Sequence, residues 1–69
     1  MDRVIALKRI HRLARTGRLR ELREAVGLTQ SDVARALGVR PPSVSRWESA
    51  HARPRPEHAV ALLELLEAE

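Results

Sequence analysis

Apolar residues recur at helical spacing in several stretches of the chain, and no stretch alternates as a β-strand would. The first stretch, residues 2–15, is basic outside an apolar stripe that consists of Val4, Leu7, Ile10 and Ala14. The second stretch, residues 18–26, places Leu19, Leu22 and Val26 on one face. This pattern predicts an all-α protein with four to five helices.

The number of helices depends on the junction at Thr16 and Gly17. Thr16 is a suitable N-cap for a helix that begins at residue 18, which predicts a break between the first two stretches. A single bent helix from residue 2 to residue 26 is the alternative, because one internal glycine costs only about 1 kcal/mol. In either case Gly27 is suited to the position that follows the helix end.

Local signals delimit the next two helices. Thr29 is the expected N-cap of a helix that runs to about Leu37, and Asp32 stands three residues later, where the acid of a capping box belongs. Gly38 then permits the left-handed turn that follows. A further helix is predicted over about 41–49.

The last helix follows the proline-containing loop "HARPRP" and begins at Pro56, a residue suited to the first helical position. Its predicted inward positions are Val60, Leu63 and Leu66, and its flanking positions are Leu62 and Leu65.

Charge is distributed unevenly over this small chain of 69 residues, whose length fits one folded unit. Residues 1–23 contain eight basic and two acidic residues, whereas residues 56–69 contain four glutamates and no lysine or arginine. A basic front and an acidic end indicate that one face of the protein meets a polyanion.

Several classes of chemistry lack their signatures. Cysteine is absent, so the chain has no disulfide and no thiolate metal site. The three histidines are scattered, the three glycines are far apart, and no catalytic or cofactor motif occurs. No apolar run reaches the roughly 20 residues needed to span a bilayer. We therefore expect a soluble, unexported protein that is not an enzyme and needs no cofactor or metal.

One segment carries a specific motif, "GLTQSDVARALGVRPPSVSRWESAHARP", residues 27–54. Its small residue Ala34, the turn residue Gly38 and an apolar set allow two helices to cross steeply and bury their junction. That apolar set consists of Val33, Leu37, Val39, Val44 and Trp47. The segment resembles the helix-turn-helix of the lambda-repressor/Cro-like (Xre-type) family, and the resemblance extends over about residues 18–67.

The resemblance implies a compact lambda-repressor-like DNA-binding domain over residues 17–69, preceded by a basic helical extension over residues 1–16. It further implies that Gln30 lies against the DNA backbone at a helix N-terminus, where free amides attract phosphate. Arg23 and Glu48 are expected to form a structural ion pair, with Arg23 also near a phosphate.

The second helix of the motif begins unusually, because the family often has glutamine or serine where this chain has Pro41 and Pro42. The residue before a proline favours extended backbone, so Arg40 is a suitable N-cap. The two prolines then occupy positions whose amides have no partner within the helix. Their nitrogens cannot donate hydrogen bonds, but the rings of Pro41 and Pro42 can contact a thymine methyl group.

Polar reading of base edges therefore shifts to neighbouring residues. We expect Arg46 and Ser43 to specify the sequence, with Arg46 gripping a guanine or, alternatively, the backbone, and Ser45 contributing less. Arg40 is expected to contact either a guanine or a phosphate. Arg53 and Arg55 lie in the loop that the family places along the sugar-phosphate backbone or near the minor groove.

These features predict a sequence-specific regulator of transcription that binds double-stranded DNA, most simply a repressor, in the cytoplasm of a bacterial or phage-infected cell. Family domains of this type usually have a fifth helix that helps to form the dimer, and we expect no such helix after the last one predicted here. Residues 2–15 are expected to form a homodimer in its place, to extend the DNA contact, or both. The alternative is an antitoxin or protein-binding adaptor that docks a partner on the acidic last helix through Leu62 and Leu65.

Overall fold

The structure is a computed structural model that describes residues 1–67. Five α-helices occur in this range. In chain order they are α1 (Arg3–Arg15), α2 (Arg18–Ala25), α3 (Gln30–Leu37), α4 (Pro41–Glu48) and α5 (Pro56–Leu66). No strand occurs in this range. The all-α prediction is confirmed, and of the two predicted numbers of helices, four or five, the structure has five.

The break between α1 and α2 lies at Gly17, whose φ of 79° turns the backbone into the left-handed region. The sequence analysis expected Thr16 to be the N-cap of α2, but Thr16 does not cap this helix. Its hydroxyl instead donates to the carbonyl of Arg12, 3.1 Å away, and closes the end of α1. The prediction was wrong because the turn needs glycine at the residue before α2, which leaves Thr16 one position too early.

The start of α3 has the predicted capping box. The Asp32 amide donates to Thr29 Oγ1 over 3.0 Å, and the Thr29 amide donates to Asp32 Oδ2 over 2.9 Å. Hydrogen bonding to the Asp32 carboxylate from the Thr29 backbone amide, and then from the Thr29 side chain, lowers the pKa of Asp32. A lowered pKa means that the cap stabilises the folded state near neutral pH and that this contribution is lost as the pH falls into the acidic range.

The hydrophobic core draws on all five helices, and α1 packs chiefly against α5. From α1 the buried residues are Ala6, Ile10 and Ala14, whereas Val4 is 60% exposed. Val4 was therefore wrongly assigned to the inward stripe. It lies roughly 120° around the helix from Ile10, so it cannot share the face that Ala6 and Ile10 bury.

Three further apolar assignments are corrected. Leu62 is only 2% exposed and belongs to the core of α5 together with Leu63 and Leu66, while Val60 is half-buried. The inward face of α5 is wider than one stripe because the helix packs against both α1 and α3. Val26 is exposed because α2 ends at Ala25 and Val26 caps it.

The end of α4 contains a left-handed residue that is not glycine, Ala50, with a φ of 62°. The amide of Ala50 donates to the Trp47 carbonyl, and the amide of His51 donates to the Arg46 carbonyl over 2.9 Å. This pair of bonds is the Schellman arrangement, which usually has glycine at the position of Ala50. The side chain of Ala50 therefore strains the turn that ends α4.

We predict that Ala50→Gly stabilises the protein by about 0.5–1 kcal/mol, because the relief of left-handed strain exceeds the added entropy of the unfolded chain. Thermal denaturation should show a rise in Tm of roughly 2–8 °C. The control is Ala36→Gly at an exposed position of α3, which should lower the stability by a similar amount. A fall in Tm for Ala50→Gly would contradict the assignment of strain.

Candidate nucleic-acid interface

The helices α3 and α4 meet through a short connection over residues 38–40, and their junction is buried. Gly38 adopts a φ of 73° at the end of α3, and the amide of Val39 returns to the Ala34 carbonyl over 2.9 Å. Ala34 is buried, so its small side chain lets the two helices approach. Val44 and Trp47 turn one face of α4 towards the core, which leaves the opposite face outward.

The first turn of α4 has the geometry that the sequence predicts. Arg40 is extended, with φ −91° and ψ 148°, and Pro41 and Pro42 occupy the first two helical positions. Both prolines are exposed. The fixed φ of proline suits these positions, so the start of the helix is rigid and presents apolar rings to solvent.

The outward face of α4 consists of residues spaced three or four apart, namely Pro42, Ser45, Arg46 and Ser49, all of them exposed. Ser43 lies at the border of this face and is half-buried. The structure thus places Ser45 more openly than Ser43, although the sequence analysis gave Ser43 the larger role. Arg46 has no ion-pair partner within the described residues, so its guanidinium is available to a ligand.

A charged network behind this face ties three helices together. Arg23 of α2 donates from Nε to Glu48 Oε2 over 2.5 Å and from Nη1 to the Leu28 carbonyl over 2.7 Å. Gln30 of α3 donates from Nε2 to Glu48 Oε1 over 3.0 Å. The ion pair that the family resemblance implies, Arg23 with Glu48, is thus present and connects α2 to α4.

The position of Arg23 limits what it can contact directly. Its residue is 8% exposed, and the bond to Glu48, together with the nearby carboxylate charges, raises the pKa of its guanidinium despite the opposing effect of burial. Arg23 is therefore permanently charged and directed at Glu48. It fixes the carboxylate that in turn holds the side-chain amide of Gln30.

The loop that follows α4 carries the remaining predicted residues. Arg53 and Arg55 are exposed on either side of Pro54, which is buried and anchors the loop. Pro56 occupies the first position of α5, as predicted. The loop thus presents two guanidinium groups from a backbone that is anchored between them at Pro54, so this backbone has less conformational entropy to lose on binding a ligand.

Two residues near the site were missed by the sequence analysis. Arg20 and Ser49 line an open depression together with Gln30, Ser45 and Glu48. The spacing of three residues between Arg20 and Arg23, and of four between Ser45 and Ser49, was the signal that could have found them. The basic residues of α1 line a different depression, formed by Ile5, Lys8, Arg9, Arg12 and Leu13.

Within residues 1–67 no group of histidine, aspartate and glutamate side chains could hold a metal ion. The ring of His58 lies 6.0 Å from that of Trp47, and His51 Nδ1 lies 2.9 Å from Ser49 Oγ. No helix in the same range is long and apolar enough to cross a membrane.

Comparison with known families now bears on this geometry. A sequence model of the helix-turn-helix family matches residues 19–68, most of the chain. The chain belongs to the lambda-repressor/Cro-like helix-turn-helix family. Neither the curated proteins nor the solved structures give a significant match. Helix-turn-helix proteins of this type bind double-stranded DNA and regulate transcription, which defines the function of this chain in general terms. The matched span includes α3 and α4 and begins after α1.

We predict that Glu48→Ala destabilises the helix-turn-helix domain by about 3–5 kcal/mol, because it leaves the charge of Arg23 buried without its partner. Urea denaturation followed by circular dichroism measures the loss.

The matched control is Arg23→Met/Glu48→Leu, which removes both charges and should recover much of the stability. An unchanged midpoint for Glu48→Ala would show that the ion pair does not hold the helices together.

Proposed function

We propose that this protein is a sequence-specific repressor of transcription that inserts α4 into the major groove of its operator. The observation that carries the proposal is the division of α4 into two faces. Val44 and Trp47 bury one face, and Pro42, Ser45 and Arg46 stand exposed on the other. A major groove of about 12 Å admits a helix presented in this way.

Base reading is assigned to the exposed face. The Arg46 guanidinium suits the O6 and N7 acceptors of guanine, a contact that discriminates by about 1–3 kcal/mol. Pro41 and Pro42 offer only apolar surface, which suits the methyl group of thymine. Ser43 and Ser45 flank Arg46 and supply short hydroxyl donors.

Backbone contacts are assigned to the surrounding groups. Gln30 is the first residue of α3, so its backbone amide is free of intrahelical bonds and faces outward with the helix dipole. Its side-chain amide is held by Glu48 and retains one N–H for a phosphate oxygen. Arg40, Arg53 and Arg55 are exposed around α4 and add positive charge. Arg23 acts on the phosphates through Glu48 and Gln30.

A homodimer is supported by the exposed apolar residues of α1. Met1, Val4 and Ile5 are each about three-fifths exposed. Val4 and Ile5 are consecutive residues in the first turn of α1 and Met1 precedes the helix, so all three lie at its N-terminal end. Clustered exposed apolar residues of this kind mark protein interfaces. A twofold dimer places its reading helices about 34 Å apart and requires a dyad-symmetric operator.

Repression is the simplest outcome of such binding, because a dimer seated on a promoter excludes polymerase, and the cytoplasm is the compartment in which this occurs. The alternative of a docking module on α5 has less support. Of the two leucines that were expected to dock a partner, Leu62 is part of the core and Leu65 is half-buried.

Selection of bound sequences from a random duplex pool tests the proposal, with the mass of the complex measured alongside. We predict that Arg46→Ala relaxes the preference at one base pair per half-site by about 1–3 kcal/mol and leaves the other positions unchanged. Arg35→Ala, an equal change of charge at an exposed position of α3, should leave the selected motif intact. Absence of any selected motif would refute the regulator, and a motif without dyad symmetry would refute the twofold dimer.

The proline contact can be tested at the level of a single methyl group. Replacing a contacted thymine by deoxyuridine removes the methyl and keeps every hydrogen-bonding group. We predict that the wild type then binds about fourfold more weakly for each methyl removed, the equivalent of about 0.8 kcal/mol.

The variant Pro41→Gln/Pro42→Ser should select different bases and show no response to the same replacement, while its Tm stays close to that of the wild type. Equal sensitivity of both proteins would mean that the two rings do not reach the bases.

A further inference from the structure

The depression beside α4 is rich in hydrogen-bond donors and lies next to residues already assigned to DNA. It is lined by Arg20, Gln30, Ser45, Glu48 and Ser49. The hydroxyl of Ser49 donates to the Arg46 carbonyl over 3.2 Å, so this residue forms a wall and offers no free proton. The available donors are the Arg20 guanidinium, the remaining N–H of Gln30 and the hydroxyl of Ser45.

The charges around the depression favour a singly charged anion. Glu48 contributes one negative charge, but Arg23 neutralises it through a nearly buried ion pair. Arg20 then adds a positive charge that nothing buried opposes. Its tie to Glu24 is an exposed pair over 3.3 Å, the kind that contributes little and exchanges readily with a ligand. A phosphodiester carries the single negative charge that balances Arg20.

The position of Arg20 distinguishes it from the other arginines of α2. It precedes the buried Arg23 by three residues, so both lie on the side of α2 that meets the Gln30 end of α3 and the Glu48 end of α4. Arg18 is similar in exposure, at 61% against 68% for Arg20, and it also has a partner within the helix, Glu21. Arg18, however, does not line the depression.

We propose that Arg20 binds a DNA backbone phosphate, which sits in this depression against the side chains of Gln30 and Ser45. The assignment rests on the proposed DNA-binding function and adds to it a contact that neither the motif nor the charge pattern identifies. The contact positions the duplex without reading its sequence, since phosphate contacts carry no base information. It places the duplex backbone along the edge where α2, α3 and α4 converge.

The test compares Arg20→Ala with Arg18→Ala on the selected operator over a range of salt concentrations. Arg20→Ala should weaken binding roughly tenfold at physiological salt, equally for specific and nonspecific duplexes. It should also reduce the slope of log K against log salt by about 0.9 for each protomer bound. Arg18→Ala, which removes the same charge from the same helix, should change neither quantity by a comparable amount.

A second experiment locates the phosphate. The wild type and Arg20→Ala are each bound to a series of operators in which one phosphate at a time is replaced by an uncharged methylphosphonate linkage. At the phosphate that Arg20 contacts, the methylphosphonate should weaken binding by the wild type. The same replacement should cause no further loss for Arg20→Ala, because that variant already lacks the contact. Losses that add at every linkage would overturn the assignment.

Glu24→Gln separates a direct contact from an effect on α2 itself. It releases Arg20 from its partner, so it should leave DNA binding unchanged or tighter. Weakening equal to that of Arg20→Ala would mean that the intrahelical pair, and not a phosphate contact, is responsible, and would overturn the proposal.

The outcomes also separate this proposal from the function on which it rests. A wild type that binds no duplex overturns both. If the wild type binds its operator but Arg20→Ala and Arg18→Ala change the affinity and its salt dependence to the same extent, only the Arg20 contact is overturned.

Discussion

The carboxylate of Glu48 is the interaction on which the arrangement of the helix-turn-helix depends. It accepts hydrogen bonds from Arg23 of α2 and Gln30 of α3 while standing at the last position of α4. The spacing between these helices is therefore set at one buried point, and hydrophobic contacts fill the space around it. Apolar packing alone tolerates small shifts, whereas a carboxylate that accepts hydrogen bonds from two different residues requires one geometry.

The same network links the stability of the fold to the surface that is proposed to face DNA. Gln30 is held by a residue of α4, so the start of α3 and the outward face of α4 cannot move independently. The backbone contact proposed for Gln30 and the base contact proposed for Arg46 thus start from positions that are fixed relative to each other before DNA is bound. Preorganisation of this kind reduces the entropy lost on binding and favours discrimination between similar sites.

Features that depend on neighbouring residues were predictable from sequence, and features that depend on distant packing were not. The capping box at Thr29 and Asp32 and the prolines that open α4 are local, and the structure has them as expected. Thr16 failed because a single glycine decides which residue precedes α2. Val4 and Leu62 failed because the inward direction of α1 and α5 is set by their mutual packing, which helical periodicity alone does not specify. The spacing of Arg20 from Arg23 places it on the same side of α2, but the depression that it lines is completed by residues of α3 and α4, which the sequence does not show.

The packing of α1 has a practical consequence for anyone who isolates or transplants this domain. The family match begins at residue 19, yet Ala6, Ile10 and Ala14 belong to the same hydrophobic cluster as the leucines of α5. A gene fragment cut at the edge of the recognised motif would uncover those leucines to water and invite aggregation. The transferable unit is accordingly larger than the sequence signature by one whole helix.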